Sequence, residues 1–169
     1  MASYILYTYQ FAPIINDGAN LFQPTPDIEQ RMESKQTYLQ EIILNANFKF
    51  NSKREGVFEH QLRYNSNGII ILKLANNKQL SLEENFKKKK HHYSPSCFVI
   101  IDNRQDVQHI AIEDDPTAFS TTDVVQNIME YSLKKALKTY GLTISIKKRI
   151  SENRILATSR AISQRDIYG

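Results

Sequence analysis

The stretch Cys97-Phe98-Val99-Ile100-Ile101-Asp102 is an apolar run that stops on an acidic turn. Asn103-Arg104-Gln105-Asp106 reverses the chain, and Val107-Gln108-His109-Ile110-Ala111-Ile112 runs back beside it. A short continuous apolar run between turn residues reads as a strand covered on both faces, and its return as a strand apolar on one face and mixed on the other. The rest of the chain is placed by asking how each element would cover this hairpin.

The remaining periodicities supply the cover. Residues 3–11 alternate Ile5, Tyr7, Tyr9 and Phe11 against Tyr4, Leu6, Thr8 and Gln10, a strand pattern. Thr25-Pro26-Asp27 combines a capping hydroxyl, a proline at the first helical position and a carboxylate in the first turn. Ile28, Met32, Leu39, Ile42, Ile43 and Ala46 then recur at helical spacing, which predicts one helix ending near 45–47. Phe48-Lys49-Phe50 reads as a short extended piece and residues 51–56 as a polar loop. Phe58, His60, Leu62 and Tyr64 alternate with Glu59, Gln61 and Arg63, and Asn67-Gly68 is a tight-turn signal leading into an apolar return strand over 69–75. Asn76-Asn77 turns the chain again, Leu80 and Leu82 suggest a short edge strand, and residues 83–96 read as polar loop. Beyond the opening hairpin, Ser120-Thr121-Thr122-Asp123 has the form of a capping box. It starts a helix with Val125, Met129, Leu133, Ala136, Leu137 and Tyr140 on one face, lysines in its last turns and Gly141 as its stop. Leu142, Ile144 and Ile146 alternate in a last strand.

With one central hairpin removed, this order is βαββαβ, which predicts an α+β fold. A single antiparallel or mixed sheet carries two helices on one face, in ferredoxin-like order with an extra central hairpin. The expected organisation is one domain over residues 1–149, followed by residues 150–169 as a basic tail that orders on a partner or as the start of a further element. The order resembles that of RNA-recognition motifs and other ferredoxin-like RNA binders. However, neither Gly68-Ile69-Ile70-Ile71-Leu72 nor Ser96-Cys97-Phe98-Val99-Ile100 carries their aromatic signature. Fold order alone licenses no function.

Composition narrows the setting. At 169 residues, 41% hydrophobic and 24% charged, the chain has the make-up of a globular protein with one core. No apolar run approaches the roughly 20 residues that span a bilayer, and the N-terminus lacks the basic region and cleavage site of a secretory signal. A single cysteine, Cys97, permits no internal disulfide and reads as a buried structural thiol. These features point to a cytoplasmic protein with no membrane partner. The net charge is +4, and residues 142–169 carry six cations against two carboxylates, so the rest is neutral overall despite the run Lys87-Lys88-Lys89-Lys90.

Catalytic readings fail on geometry. Asp102, Asp106 and Glu113 fit positions 1, 5 and 12 of a calcium loop, but Arg104 and Val107 occupy positions that need a ligand and a glycine. Asp102 and Glu113 or its neighbours Asp114 and Asp115 would lie at opposite ends of an antiparallel hairpin, about 15–20 Å apart, too far to share a metal pair. His91 and His92 are adjacent and point to opposite sides of an extended segment, and no second cluster completes four zinc ligands around Cys97. His60 and His109 read as hydrogen-bonded structural histidines. No cofactor and no catalytic residue are expected, and an enzymatic reading is left only as a metal-dependent nuclease or hydrolase completed by oligomerisation.

The basic segments carry the functional expectation. Phe86 and Tyr93 flank Lys87, Lys88, Lys89, Lys90 and His91, so lysines on phosphates with an aromatic on a base is a coherent arrangement for RNA or DNA. Lys147, Lys148, Arg149 and Arg154 extend that surface. The alternative is a protein-interaction or regulatory module, N-terminal in a longer protein, that docks a partner through residues 150–169.

Overall fold

The computed structural model describes residues 2–15, 28–54 and 56–150. The helix start at 25–27, Arg154 and all of the C-terminal segment after Ile150 therefore lie outside the described residues. In chain order the elements are strand β1 (Tyr4–Pro13), helices α1 (Ile28–Glu33) and α2 (Lys35–Leu44), and strands β2 (Phe50–Ser52), β3 (Gly56–Phe58), β4 (His60–Ser66) and β5 (Ile69–Ala75). Strands β6 (Lys78–Glu84), β7 (Lys87–Tyr93), β8 (Ser96–Asp102) and β9 (His109–Glu113) follow, then helix α3 (Thr122–Leu137), a 3₁₀ turn (Lys138–Tyr140) and strand β10 (Leu142–Lys148).

Six strands form one antiparallel sheet in the order β10-β1-β9-β8-β5-β4, while β2-β3 and β6-β7 form two separate two-stranded sheets. The expected single-sheet, two-helix ferredoxin-like fold is overturned: the described chain is mostly strand and holds three sheets. Local alternation told strand from helix but not which strands would share a sheet. Three particular expectations change with it. Residues 51, 52 and 56, read as loop, pair in the β2-β3 hairpin; residues 83–96, also read as loop, supply most of the β6-β7 hairpin; and the first helix is broken at Ser34 into α1 and α2.

The core lies between the six-stranded sheet and the helices. One face of each inner strand is buried: Tyr7, Tyr9 and Phe11 on β1, Ile110 and Ile112 on β9, Cys97, Val99 and Ile101 on β8, and Ile70, Leu72 and Leu74 on β5. Leu39, Ile42 and Ile43 of α2 and Val125, Ile128, Met129, Leu133 and Leu137 of α3 close over it. Burying a side chain of this size contributes about 1.5–3 kcal/mol. The opposite sheet face is half-covered, so β8 is not enclosed on both sides as its composition suggested.

Polar side chains tie the layers at fixed points. The Tyr9 hydroxyl donates to Asn103 Oδ1 at 2.8 Å. Asn103, itself buried, donates through Nδ2 to the Gln36 carbonyl at 2.8 Å and through its backbone N–H to Gly68 O. One asparagine at the end of β8 thus links β1, α2 and the β4-β5 turn. Tyr7 donates to Asp123 Oδ1 at 2.6 Å and lies 2.8 Å from Thr122 Oγ1. Burial, reinforced by Asp123, pushes its phenol up to about 12. The predicted capping box is not made: Thr121 is the N-cap without a side-chain cap bond, and Thr122 and Asp123 serve Tyr7 instead. At the outer edge of β10, Ile146 N–H donates to Glu130 and its carbonyl accepts from Gln126, so α3 covers an edge that would otherwise invite pairing. Asn67-Gly68 forms the expected tight turn, with positive φ at both residues.

Candidate functional site

The lysine run stands on a projecting ribbon. Strand β7 pairs with β6 in register from Lys78 opposite Tyr93 to Glu84 opposite Lys87, and this pair belongs to neither of the other sheets. Every residue of β7 is exposed, and no residue of the ribbon enters the core. Its root is fixed by Asn76, which donates its backbone N–H to Pro95 O and its side chain to Ala118 O, and by Lys78 Nζ, which donates to Thr117 O. At about 3.3–3.4 Å per residue a seven-residue ribbon is roughly 23 Å long.

Pairing sorts the candidate residues onto two faces, because side chains alternate along a strand. Lys87, Lys89, His91 and Tyr93 share a face with Leu80 and Leu82; Lys88, Lys90 and His92 share the other with Gln79 and Ser81. Glu83 and Glu84 stand opposite Lys88 and Lys87. Among the described residues, Lys89 is the one cation of the run in an ion pair, to Glu84 at 2.9 Å, and both side chains of that pair are more than half exposed. Between residues 78 and 93 there are five lysines and two glutamates, so the ribbon presents a cationic surface on both faces. The hairpin turn is Asn85-Phe86, with φ of 51° and 63°.

The second basic cluster is elsewhere. Lys147 pairs opposite Thr8 and faces the half-covered side of the sheet, whereas Lys148 pairs opposite Tyr7 and reaches Asp123 at 3.6 Å on the helix side. Arg149 donates its backbone N–H to Leu6 O. The ladder registers put Lys148 level with Ile101, three strands from β8 and five residues above the ribbon root at Ser96. That separation is about 14 Å across and about 17 Å along the sheet. Lys148 thus lies well away from the ribbon root, and Lys147 and Lys148 do not share a face.

The rejected catalytic sites fall where hairpin geometry put them. Asp102 is held by Arg104, whose Nη2 and Nε donate to its two oxygens at 2.6 and 2.8 Å, and this guanidinium keeps the carboxyl below its usual range. Glu113, at the other end of the hairpin, accepts the Phe98 N–H at 2.8 Å. His60 sits edge-on to Phe50 with centroids 5.0 Å apart. Burial, with Lys49 nearby, lowers its pKa, and among the described residues its buried Nδ1 has no partner, so the hydrogen bond expected of it is not seen there. Burial pushes the Cys97 thiol up to about 12.

Two features escaped the sequence. A cleft of about 490 Å³ lies between the β2-β3 hairpin and α3, with Phe58, Val124 and Ile128 as its floor and Lys53, Arg54 and Asn127 at its rim. Across the half-covered sheet face, Leu6, Ala111, Ile100, Ile71 and Tyr64 stand in one row of the ladder. A bulge at Arg63 turns Tyr64 onto that face, which strict alternation had placed with Leu62.

No family model matches the chain, and comparison with curated proteins and with solved structures finds no match. Among the described residues, no helix is long and apolar enough to cross a membrane, and no cluster of three or more His, Cys, Asp or Glu side chains is placed to hold a metal ion.

Proposed function

We propose that this chain is a non-enzymatic nucleic-acid-binding protein that grips phosphates with its β6-β7 ribbon. One observation carries the reading: four consecutive lysines alternate between the two faces of a projecting ribbon that contributes nothing to the core. A two-stranded ribbon can enter either groove of a duplex, and cations on both faces then meet the two backbones that border it. Tyr93 and His91 add a polar and aromatic flank near the root. Lys147 and Arg149 form a separate patch that a long duplex reaches as a second contact. A buried, high-pKa Cys97 suits a reducing, cytoplasmic setting.

The test is fluorescence anisotropy with labelled duplex DNA, single-stranded DNA and single-stranded RNA, at low and physiological salt. Micromolar or tighter binding that weakens with salt and is lost on replacing Lys87, Lys88, Lys89 and Lys90 by alanine supports the reading; no binding at low salt removes it.

A second reading is a protein-interaction module that docks a partner with residues 150–169. The apolar row from Leu6 to Tyr64 favours it, since it gives a protein partner a surface beside the end of β10. It predicts association that is insensitive to salt.

A further inference from the structure

The tip of the ribbon is built in a way that folding does not favour. A two-residue hairpin loop with positive φ at both positions is normally Asn-Gly, and Asn85 fills the first position as that rule expects. Phe86 fills the second at φ 63°, a backbone region that bulky side chains rarely adopt. Nor does the ring recover anything from packing, because Phe86 is 97% exposed. Glycine would remove the backbone strain and the exposed apolar surface together. What phenylalanine adds is a bare aromatic ring at the farthest point of a cationic ribbon, directly before Lys87.

From this juxtaposition we infer that Phe86 is a wedge that enters a base step of duplex DNA from the minor groove and bends the duplex. The inference rests on the ribbon reading above and names its ligand. Lysines on the two faces hold the two backbones that border the groove, which aims the tip at the stacked bases between them. An apolar side chain inserted there unstacks one step and kinks the duplex away from the protein, and the bend brings more phosphates within reach of the lysines. Backbone strain at the turn is kept because the ring works on the ligand and not on the fold.

The experiment uses the full chain with a duplex of about three helical turns carrying a donor and an acceptor dye at its ends, and a second duplex with 2-aminopurine at central steps. Wild-type protein is expected to shorten the end-to-end distance at saturation and to raise the 2-aminopurine emission. Phe86→Gly, which relieves the turn, is expected to abolish both signals, weaken binding about tenfold and leave the salt slope unchanged. Phe86→Trp, which keeps a large ring, is expected to retain them. Equal bending by wild type and Phe86→Gly, or tight binding by wild type without bending, overturns the wedge while leaving the ribbon reading intact. Tighter binding to single strands than to duplex overturns it in favour of base stacking on an open strand. A quadruple lysine-to-alanine variant that binds like wild type overturns the ribbon reading itself.

Discussion

If the ribbon grips phosphates as proposed, its two faces should make separable contributions to binding. Lys88 and Lys90 project from one face and Lys87 and Lys89 from the other, so two double alanine variants each strip one face. If each lysine displaces one condensed counterion from a duplex, the log–log slope of affinity against salt is about −3.6 for the wild type and about −1.8 for either variant. Raising salt from about 50 to about 200 mM then weakens the wild type about 150-fold and each double variant about 12-fold. Lys89 departs from this symmetry, because Glu84 already holds it at 2.9 Å. Glu84→Gln frees that charge and should tighten binding about two- to five-fold at low salt, the range of an exposed ion pair. All these side chains are exposed, so the unfolding free energy of each variant should stay within about 0.5 kcal/mol of wild type. Anisotropy titrations at four salt concentrations measure the slopes. Unchanged slopes in both double variants, with loss of binding in a Lys147→Ala/Arg149→Ala variant instead, would refute the placement of the phosphate contacts on the ribbon.

Three further outcomes follow from the buried groups. Tyr9→Phe leaves Asn103 Oδ1 buried without its donor and should cost about 1–3 kcal/mol by urea denaturation, a loss that Tyr9→Phe/Asn103→Leu does not simply double. The His60 pKa is lowered on folding by burial and Lys49, so the unfolded chain binds its proton first. His60's share of stability is therefore present above its ordinary value of 6.5 and lost as pH falls below it, and His60→Gln should flatten the urea midpoint between about pH 7 and about pH 5. Cys97, buried with its thiol pushed up to about 12, should ignore a thiol reagent in native buffer and react fully in denaturant; rapid native labelling contradicts its placement.

What was legible depended on whether an element announced itself locally. Strands β5 and β8 are short apolar runs and β9 and β10 alternate apolar residues, all between recognisable turns, and Asn67-Gly68 specifies its hairpin by its own backbone preference. Strand β7 has no such period: Lys-Lys-Lys-Lys-His-His-Tyr carries no apolar alternation, and its extended form comes from pairing with β6. The turn that makes the pairing possible was hidden because Phe86 stands where glycine would have signalled it. The three-residue strands β2 and β3 are too short for any periodicity to show. The run of lysines between Phe86 and Tyr93 marks a candidate site by its sequence alone. That they occupy two faces of a ribbon, and that Lys147 and Lys148 lie apart from its root, follows from ladder registers that no local pattern encodes.

The independence of ribbon and core has a direct consequence. An isolated two-stranded hairpin is marginally stable, and among the described residues the hydrogen bonds that fix the root of this one are made by Asn76, Pro95 and Lys78. Strands β5 and β8 already pair with each other up to Ala75 opposite Ser96, so the main sheet does not need the excursion to close. Replacing residues 77–94 by a two-residue Asn-Gly loop between Asn76 and Pro95 turns β5-β8 into a simple hairpin. That deletion removes five lysines and no core side chain, and the Lys78 to Thr117 bond it sacrifices is exposed. The deleted chain should therefore keep its urea midpoint and its circular dichroism signature of a mixed sheet and helix core, while losing measurable affinity for duplex DNA. Retained affinity would move the interface to Lys147 and Arg149. Collapse of the fold would mean that the ribbon stabilises the sheet through its root, and that the lysine run is part of the structure it was taken to be free of.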